Sequence, residues 1–408
     1  LNIVLKNFSY LAILQLVNVV APLLIYPVII NRVGVNQFGN VILAQSAIYY
    51  LTIFVNYGLN IYGTKLISGI NSKVGSYNEV FNNIFYFKLF VSIMISALVI
   101  LSWGLIESIN IIYVFSLGIV FGDLLLPIWF YQGIERMKYI TIISSLSKII
   151  YIALVYFYVQ DESDGYLLAS FLSISLLVGG VLSMIIAMRK YGVIIGKPNL
   201  HGVYAIGVNG FPYFGAMFTR DSYIRATPIL IGLVAGSSIL AYYDFANKCV
   251  SAYKSILSAV SQAAFPYIIR TQNYSKVMYV LLCGLLVSIV FYCLSVIISS
   301  ELLEFFFNEV NTQAIVIFRI ALIAVLFITI SNLCSQLVLI PLGKGNLFFY
   351  ISAITCIVYF ALIWTLYLFD VINGKSIIWV SVFVEFFLAF CYLYMAISMK
   401  VLRRKNDN

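Results

Sequence analysis

The sequence predicts an all-α polytopic membrane protein, with about twelve transmembrane helices in two six-helix bundles around a central cavity. Three observations predict it. Hydrophobic residues make up 63% of the 408 and charged residues only 10%; a soluble chain of that length could not cover its surface with polar groups. Apolar runs of 18 residues or more, each able to cross about 30 Å of hydrocarbon, recur along the whole chain. Basic residues, finally, crowd into alternate connections, as a chain threaded through a bilayer arranges them.

Taken in order, the spans fall at about 8–30, 40–62, 82–103, 111–133, 139–159, 166–188, 203–234, 239–268, 277–299, 313–341, 347–369 and 377–399. The first follows LNIVLKNFSY, which shows no A-x-A-like cleavage site, so no removable signal peptide is expected. The seventh, eighth and tenth are longer than the hydrocarbon core requires and have to tilt, bend or project. Pro212, Pro228, Pro266 and Pro341 lie within them, and each is expected to kink or end its helix. The connections are short, with no room for a folded domain, so any activity has to reside between the helices. The expected organisation is an N-terminal bundle over 1–190, a cytoplasmic linker over 191–202, and a C-terminal bundle with a basic cytoplasmic tail over 203–408.

Orientation follows from charge. With the N-terminus cytoplasmic, fifteen of the 24 Lys and Arg residues fall on the inner side, only Arg32 and Lys375 on the outer side, and seven inside spans. The positive-inside rule then places both termini in the cytoplasm. The net charge of +9 is therefore topology and attraction to anionic lipid, with no nucleic-acid partner implied. The cysteines Cys249, Cys283, Cys293, Cys334, Cys356 and Cys391 all lie in apolar stretches without a CxxC pair, and His201 is the lone histidine. They read as inert core thiols, and neither a metal nor another cofactor is expected.

The charges inside the spans carry the functional argument. Seven bases (Lys88, Lys148, Arg220, Arg225, Lys248, Lys254 and Arg319) face four acids (Asp123, Asp221, Asp244 and Glu385). An ionised group at the bilayer centre costs at least about 2.5–3.5 kcal/mol, so such groups turn toward a bundle interior or a wet cavity. Asp221–Arg225 and Asp244–Lys248 are spaced i,i+4 with the acid first, which stacks opposite charges on one face. Arg220 and Lys254 have no such local partner. A surplus of bases implies a cationic cavity for an anionic substrate.

An internal repeat is also visible. Gly34-Val-Asn-Gln-Phe-Gly39-Asn-Val-Ile-Leu-Ala44 and Gly236-Ser-Ser-Ile-Leu-Ala241-Tyr-Tyr-Asp-Phe-Ala246 share small residues at 0, +5 and +10. A weaker match pairs Pro127, Gly133 and Tyr139 with Pro341, Gly343 and Tyr350. Halves of six spans each would be parallel repeats, an arrangement that goes with two bundles rocking about a midplane site.

Several of these segments resemble a known family. Asn31-Arg-Val-Gly-Val-Asn-Gln-Phe-Gly39 is similar to an R-x-x-G-x-x-x-[FY]-G connection after a first helix. Asn56-Tyr-Gly-Leu-Asn-Ile-Tyr-Gly-Thr-Lys65 resembles the end of a second helix, with Gly63 and Lys65 in place of the commoner Ala and Arg. Trp129-Phe-Tyr-Gln-Gly-Ile-Glu-Arg-Met-Lys138 is close to W-[LF]-[FY]-Q-G-x-E-x-M after a fourth helix, the most specific of the set. Gly236–Ala246 and Phe265-Pro266 fit the seventh-to-eighth helix pattern. Together they resemble the polysaccharide-transporter family, the O-antigen flippases of the multidrug/oligosaccharidyl-lipid/polysaccharide exporter superfamily. The resemblance implies a flippase for undecaprenyl-pyrophosphate-linked oligosaccharide at the bacterial inner membrane, with the lipid-linked glycan, membrane lipid and other polysaccharide-assembly proteins as partners.

Under that reading Arg220 would contact pyrophosphate or an acidic sugar, a role that suits the planar guanidinium; the competing reading pairs it with Asp123 or Glu385. Arg225 and Lys248 stand equally as substrate contacts and as local ion pairs. Lys88, about six residues inside its helix, is expected to snorkel to the inner surface. Lys148, Arg319 and Lys254 are expected to face the cavity. Asp123 and Glu385, half way along their helices, together with Asp221 and Asp244, are the candidates for ion coupling; the competing reading of Asp123 and Glu385 is a structural salt bridge. Two other classes remain as alternatives. A small-cation drug exporter would want surplus acids, and a glycan polymerase or ligase would carry a large outer loop, which this chain lacks.

Overall fold

In the computed structural model the described residues are 2–70, 77–105, 110–271, 275–308, 311–339, 341–342 and 345–398. They form helices joined by short turns. The chain divides into two compact units, Leu1–Ala226 and Thr227–Asn408.

In the first unit α1 spans Asn2–Val33, α2 Val35–Asn56, α3 Leu59–Ser68 and α4 Asn78–Leu105. The fourth span is broken into α5 (Ile112–Phe115), α6 (Gly118–Leu125) and α7 (Ile128–Gly133). Helices α8 (Met137–Tyr158) and α9 (Gly165–Tyr191) follow, and α10 (Leu200–Ala235) leaves the unit in its last turns. Helix α6 packs on α9 and α2, and α8 lies between α9 and α1. A β-carbon on Gly118 would stand 2.3 Å from Ser173 and one on Gly122 2.7 Å from Leu176; small residues let α6 and α9 approach closely, as membrane helices that lack a hydrophobic drive between them require.

The second unit contains α11 (Ser237–Thr271), α12 (Ser275–Ile297), the short α13 (Ser299–Phe307), α14 (Thr312–Cys334), α15 (Gly345–Leu368) and α16 (Gly374–Ser398). Helix α14, extended by a π-turn over Ser335–Leu339, is its centre and packs on α11, α12 and α16. Helix α12 is mostly exposed. That is why Cys283 and Cys293 are exposed there instead of lying in the core, whereas Cys334 and Cys356 are buried.

Ten helical segments among the described residues are long and apolar enough to cross a membrane, and the chain is a multi-pass membrane protein. The two further long helices, α10 and α11, carry more charged residues than any other helix, three and four. Pro212 and Pro228 do not end α10, nor does Pro266 end α11; both helices run through them.

The connection expected as a linker at 191–202 lies within the first unit. After Gly192, left-handed at φ 67°, the chain runs extended along α4. Asn78, Asn82 and Tyr86, one turn apart on α4, read its backbone. Asn78 Oδ1 accepts from the Ile194 N–H (2.9 Å), and Asn82 Nδ2 donates to the Ile194 carbonyl (2.9 Å). Asn82 Oδ1 accepts from the Gly196 N–H (3.1 Å), and Tyr86 Oη donates to the Gly196 carbonyl (2.6 Å). Four main-chain groups that no helix or sheet satisfies are thereby satisfied by side chains.

The repeat is visible in local conformation. Gly34 and Gly236, each just before a helix, have φ of 81° and 91°, and in each half the small residues at +5 and +10 (Gly39 and Ala44; Ala241 and Ala246) are buried. In the weaker match, Gly343 lies outside the described residues, as do the tail cluster Arg403–Lys405 and the side chains of Phe265 and Pro266.

Candidate functional site

In the first unit the site is built on the break between α2 and α3. Tyr57 and Gly58 are both left-handed, with φ of 44° and 67°. A β-carbon on Gly58 would lie 2.5 Å from the Tyr213 backbone, so only glycine lets α10 pass this close. Tyr57 stacks on Phe214 at 4.6 Å and Tyr62 on Tyr213 at 5.2 Å, which ties the first half of α10 to α2 and α3.

Along this broken rod Thr52, Asn56, Asn60 and Thr64 recur every four residues and share one face. They are bonded in series: Thr52 Oγ1 donates to the Tyr49 carbonyl (2.7 Å), Asn56 Nδ2 to the Thr52 carbonyl (3.2 Å), Asn60 Nδ2 to Asn56 Oδ1 (3.2 Å) and Thr64 Oγ1 to the Asn60 carbonyl (2.6 Å). This ladder was missed in the sequence, although Thr and Asn at four-residue spacing in an apolar helix are a legible signal.

Lys88 and Asp123 join the ladder at its middle. Proline has no N–H, so Pro127 leaves the carbonyl of Asp123, four residues earlier, without a helical donor. Lys88 Nζ donates to that carbonyl (3.0 Å) and to Asp123 Oδ2 (2.9 Å). Asn56 Nδ2 donates to Asp123 Oδ1 (3.2 Å). Lys88 is 1% exposed, whereas the Asp123 side chain keeps 26%. The expected snorkelling of Lys88 is overturned: Lys88, Ser92 and Ser96 form a buried polar stripe one turn apart on α4, and the Asp123 carboxylate at contact distance offsets the cost of burying the ammonium.

Arg225 meets the other end of the ladder. Its Nη1 donates to the Tyr49 carbonyl and to Thr52 Oγ1 (3.0 Å), so the expected Asp221–Arg225 pair is not formed. Asp221, half-buried, has neither an ion pair nor a hydrogen bond among the described residues. Arg220 is exposed and likewise has none; its expected alternative partner Asp123 is taken by Lys88. Lys148 does not stand free to face a cavity but donates from Nζ to the Asn18 side chain, joining α8 to α1.

In the second unit the expected Asp244–Lys248 pair is present at 3.7 Å. Lys254 is half-buried, without an ion pair or hydrogen bond among the described residues. Arg319 does not stand free to face a cavity: its Nε donates to Ser299 Oγ (3.0 Å) and its Nη2 to the Val296 carbonyl (3.3 Å), at the C-terminal end of α12. There a cation satisfies carbonyls that the helix leaves open. Glu385 is half-buried on α16, within electrostatic range of the Tyr243 hydroxyl on α11. Of the seven bases, then, two are ion-paired within these units, Lys148 and Arg319 serve packing and capping, and Arg220, Arg225 and Lys254 have no acid partner among the described residues.

The Trp129–Gly133 motif is packing. Trp129, Phe130 and Tyr131 are buried, Tyr131 Oη donates to the Ser183 carbonyl at 2.6 Å, and the Gln132 side-chain amide lies 3.3 Å from Thr64 Oγ1. It locks α7 to α3 and α9.

Residues 4–272 match the family described as polysaccharide biosynthesis protein. A protein of Escherichia coli (strain K12), provisionally assigned as an O-antigen transporter, is 28% identical over 282 residues, covering 68% of each chain. One of Shigella dysenteriae with the same provisional assignment is 23% identical over 348 residues, 84% of this chain and 87% of that one. Among solved structures, the lipid II flippase MurJ in an inward closed conformation superposes with a TM-score of 0.73 at 15% identity, over 97% of this chain and 90% of that one. An inward-facing multidrug resistance MATE family transporter of the MOP superfamily gives 0.68 at 12% identity, over 96% and 95%. At these identities the likeness shows a shared fold.

Proposed function

The chain belongs to the polysaccharide biosynthesis protein family, and from that membership we propose that it is a flippase, moving an undecaprenyl-pyrophosphate-linked oligosaccharide from the cytoplasmic to the periplasmic leaflet of a bacterial inner membrane by alternating access. The provisional assignment of its relatives as O-antigen transporters supports this reading, and the fold shared with a lipid II flippase is compatible with it. The observation that carries it is the set of bases without an acid partner. Arg220, exposed on α10, and Arg225, with one nitrogen anchored on α2, are suited to a pyrophosphate or acidic sugar. Lys254, and Lys248 when it leaves Asp244, add cationic contacts in the second unit. Both termini are cytoplasmic in this reading, and other polysaccharide-assembly proteins are its partners.

Ion coupling falls to carboxylates. Asp123 and Asp244 each hold a lysine, whereas Asp221 has no ion pair or hydrogen bond among the described residues, so Asp221 is the acid that exchanges the coupling ion. The experiment is transbilayer movement of a polyprenyl-pyrophosphate oligosaccharide in proteoliposomes. The expected result is transport by the native chain and a loss of tenfold or more in Arg220→Ala, since one charge-assisted contact is worth about 1.5–3 kcal/mol. Full activity of the variant removes Arg220 from the site. No movement of any such glycolipid by the native chain overturns the flippase reading in favour of a drug exporter.

A further inference from the structure

The Lys88–Asp123 contact is not an ordinary salt bridge, because half of it is made to a carbonyl. Pro127 strips the Asp123 carbonyl of its helical donor, and the carboxylate of the same residue turns back beside it. A carboxylate oxygen and an orphaned main-chain oxygen thus converge on one point, 2.9 and 3.0 Å from the Lys88 nitrogen. Converging anionic and carbonyl oxygens are the donor types that replace the hydration shell of a small hard cation, and the same set accepts the hydrogens of an ammonium. Asn56 fixes the second carboxylate oxygen from α2, and Asn60 in turn fixes Asn56, so the carboxylate is held in place from the side away from the lysine. The Asp123 side chain keeps 26% of its surface exposed while that of Lys88 keeps 2%. Asp123 thus keeps an accessible surface that Lys88 lacks.

We propose that the Asp123 carboxylate and carbonyl form a site for a small monovalent cation, filled in the native protein by the tethered ammonium of Lys88. Because a tethered cation does not leave, this acid takes no part in ion exchange. That last consequence rests on the transport reading above; the site itself does not.

The test needs no transport substrate. Purified native protein, Lys88→Ala and Lys88→Ala/Asp123→Asn are melted in detergent with ammonium, methylammonium, sodium or the bulky tetramethylammonium as the chloride salt at one ionic strength. The expected result is that Lys88→Ala melts several degrees below the native protein and regains at least half of that loss in ammonium or methylammonium. Tetramethylammonium should not help it, and neither the native protein nor the double variant should respond. Lys88→Gln, which is uncharged and one atom short of the lysine nitrogen but fills part of its stem, is read in the same way should Lys88→Ala not accumulate. Equal responses of the single and double variants to all four salts overturn the site. So does recovery in tetramethylammonium equal to that in ammonium, which is a general salt effect.

Discussion

Lys88 illustrates what an ammonium needs in order to sit in an apolar lobe at 1% exposure. Removing one member of a buried pair leaves the other charge stranded, at a cost of about 3–5 kcal/mol, whereas replacing both by apolar residues of similar volume is often neutral. Lys88→Met is therefore expected to destabilise the protein by about 3 kcal/mol, at the low end because Asp123 keeps some solvent, and Lys88→Met/Asp123→Leu to recover most of it. Reversible unfolding in mixed micelles measures both; a double variant as unstable as the single would show that the pair does more than neutralise itself. Arg319 is the contrasting residue. Its two bonds end on Ser299 and Val296, so Arg319→Ala is expected to lower stability by about 1 kcal/mol and leave transport intact. A variant of native stability that no longer transports would return Arg319 to the substrate path.

At the scale of elements, the spans and their ends were largely legible in the sequence, because hydropathy is a local sum and each break has a local cause. The α2–α3 break was not read as one. The segment Asn56–Lys65 resembles the end of a second helix, and only the passage of Tyr213 against Gly58 explains the break within it. Nor was the course of 192–196 legible: Asn78, Asn82 and Tyr86 share a helix face by spacing, but nothing local says that a backbone lies on it. Asn82→Ala removes two of the four bonds in that strap. At about 1 kcal/mol each, exchange of the Ile194 and Gly196 amide hydrogens should accelerate roughly tenfold or more, as read by hydrogen-exchange mass spectrometry. Unchanged exchange would mean that the bonds from Asn78 and Tyr86 hold the strap without Asn82. Gly34, at φ 81° and ψ 158°, occupies a region nearly closed to other residues, so Gly34→Ala should cost about 1–3 kcal/mol, measurable as a lowered Tm.

For the whole molecule the charge pattern makes an orientation testable. In a background lacking the six native cysteines, Ser163→Cys, in the turn between α8 and α9, should label from outside intact cells with a membrane-impermeant maleimide. Arg136→Cys, between α7 and α8, should label only after permeabilisation. The reverse pattern would invert the topology and with it the direction of transport. The division of the chain also belongs to this scale. The division into compact units falls within α10, between Ala226 and Thr227, whereas two halves of six spans had suggested a linker over 191–202. The stacking of Tyr213 and Phe214 on α3 and α2 is a tertiary reason for the shift.

A multi-pass helical membrane protein, the approximate course of each helix and an excess of membrane-embedded bases over acids can all be read without coordinates. Those follow from composition and hydropathy, and from the rule that in lipid the backbone satisfies itself within each helix. What each charge does depends on the packing of helices distant in the chain. Spacing of i,i+4 puts two groups on one face but does not say what else meets that face: Asp244 and Lys248 found each other, while Arg225 turned to Thr52 and Tyr49. Lys88, expected at the surface, found a carbonyl that Pro127 had left open on another helix, because the cheapest partner for a buried charge is set by packing across helices and not by distance along the chain.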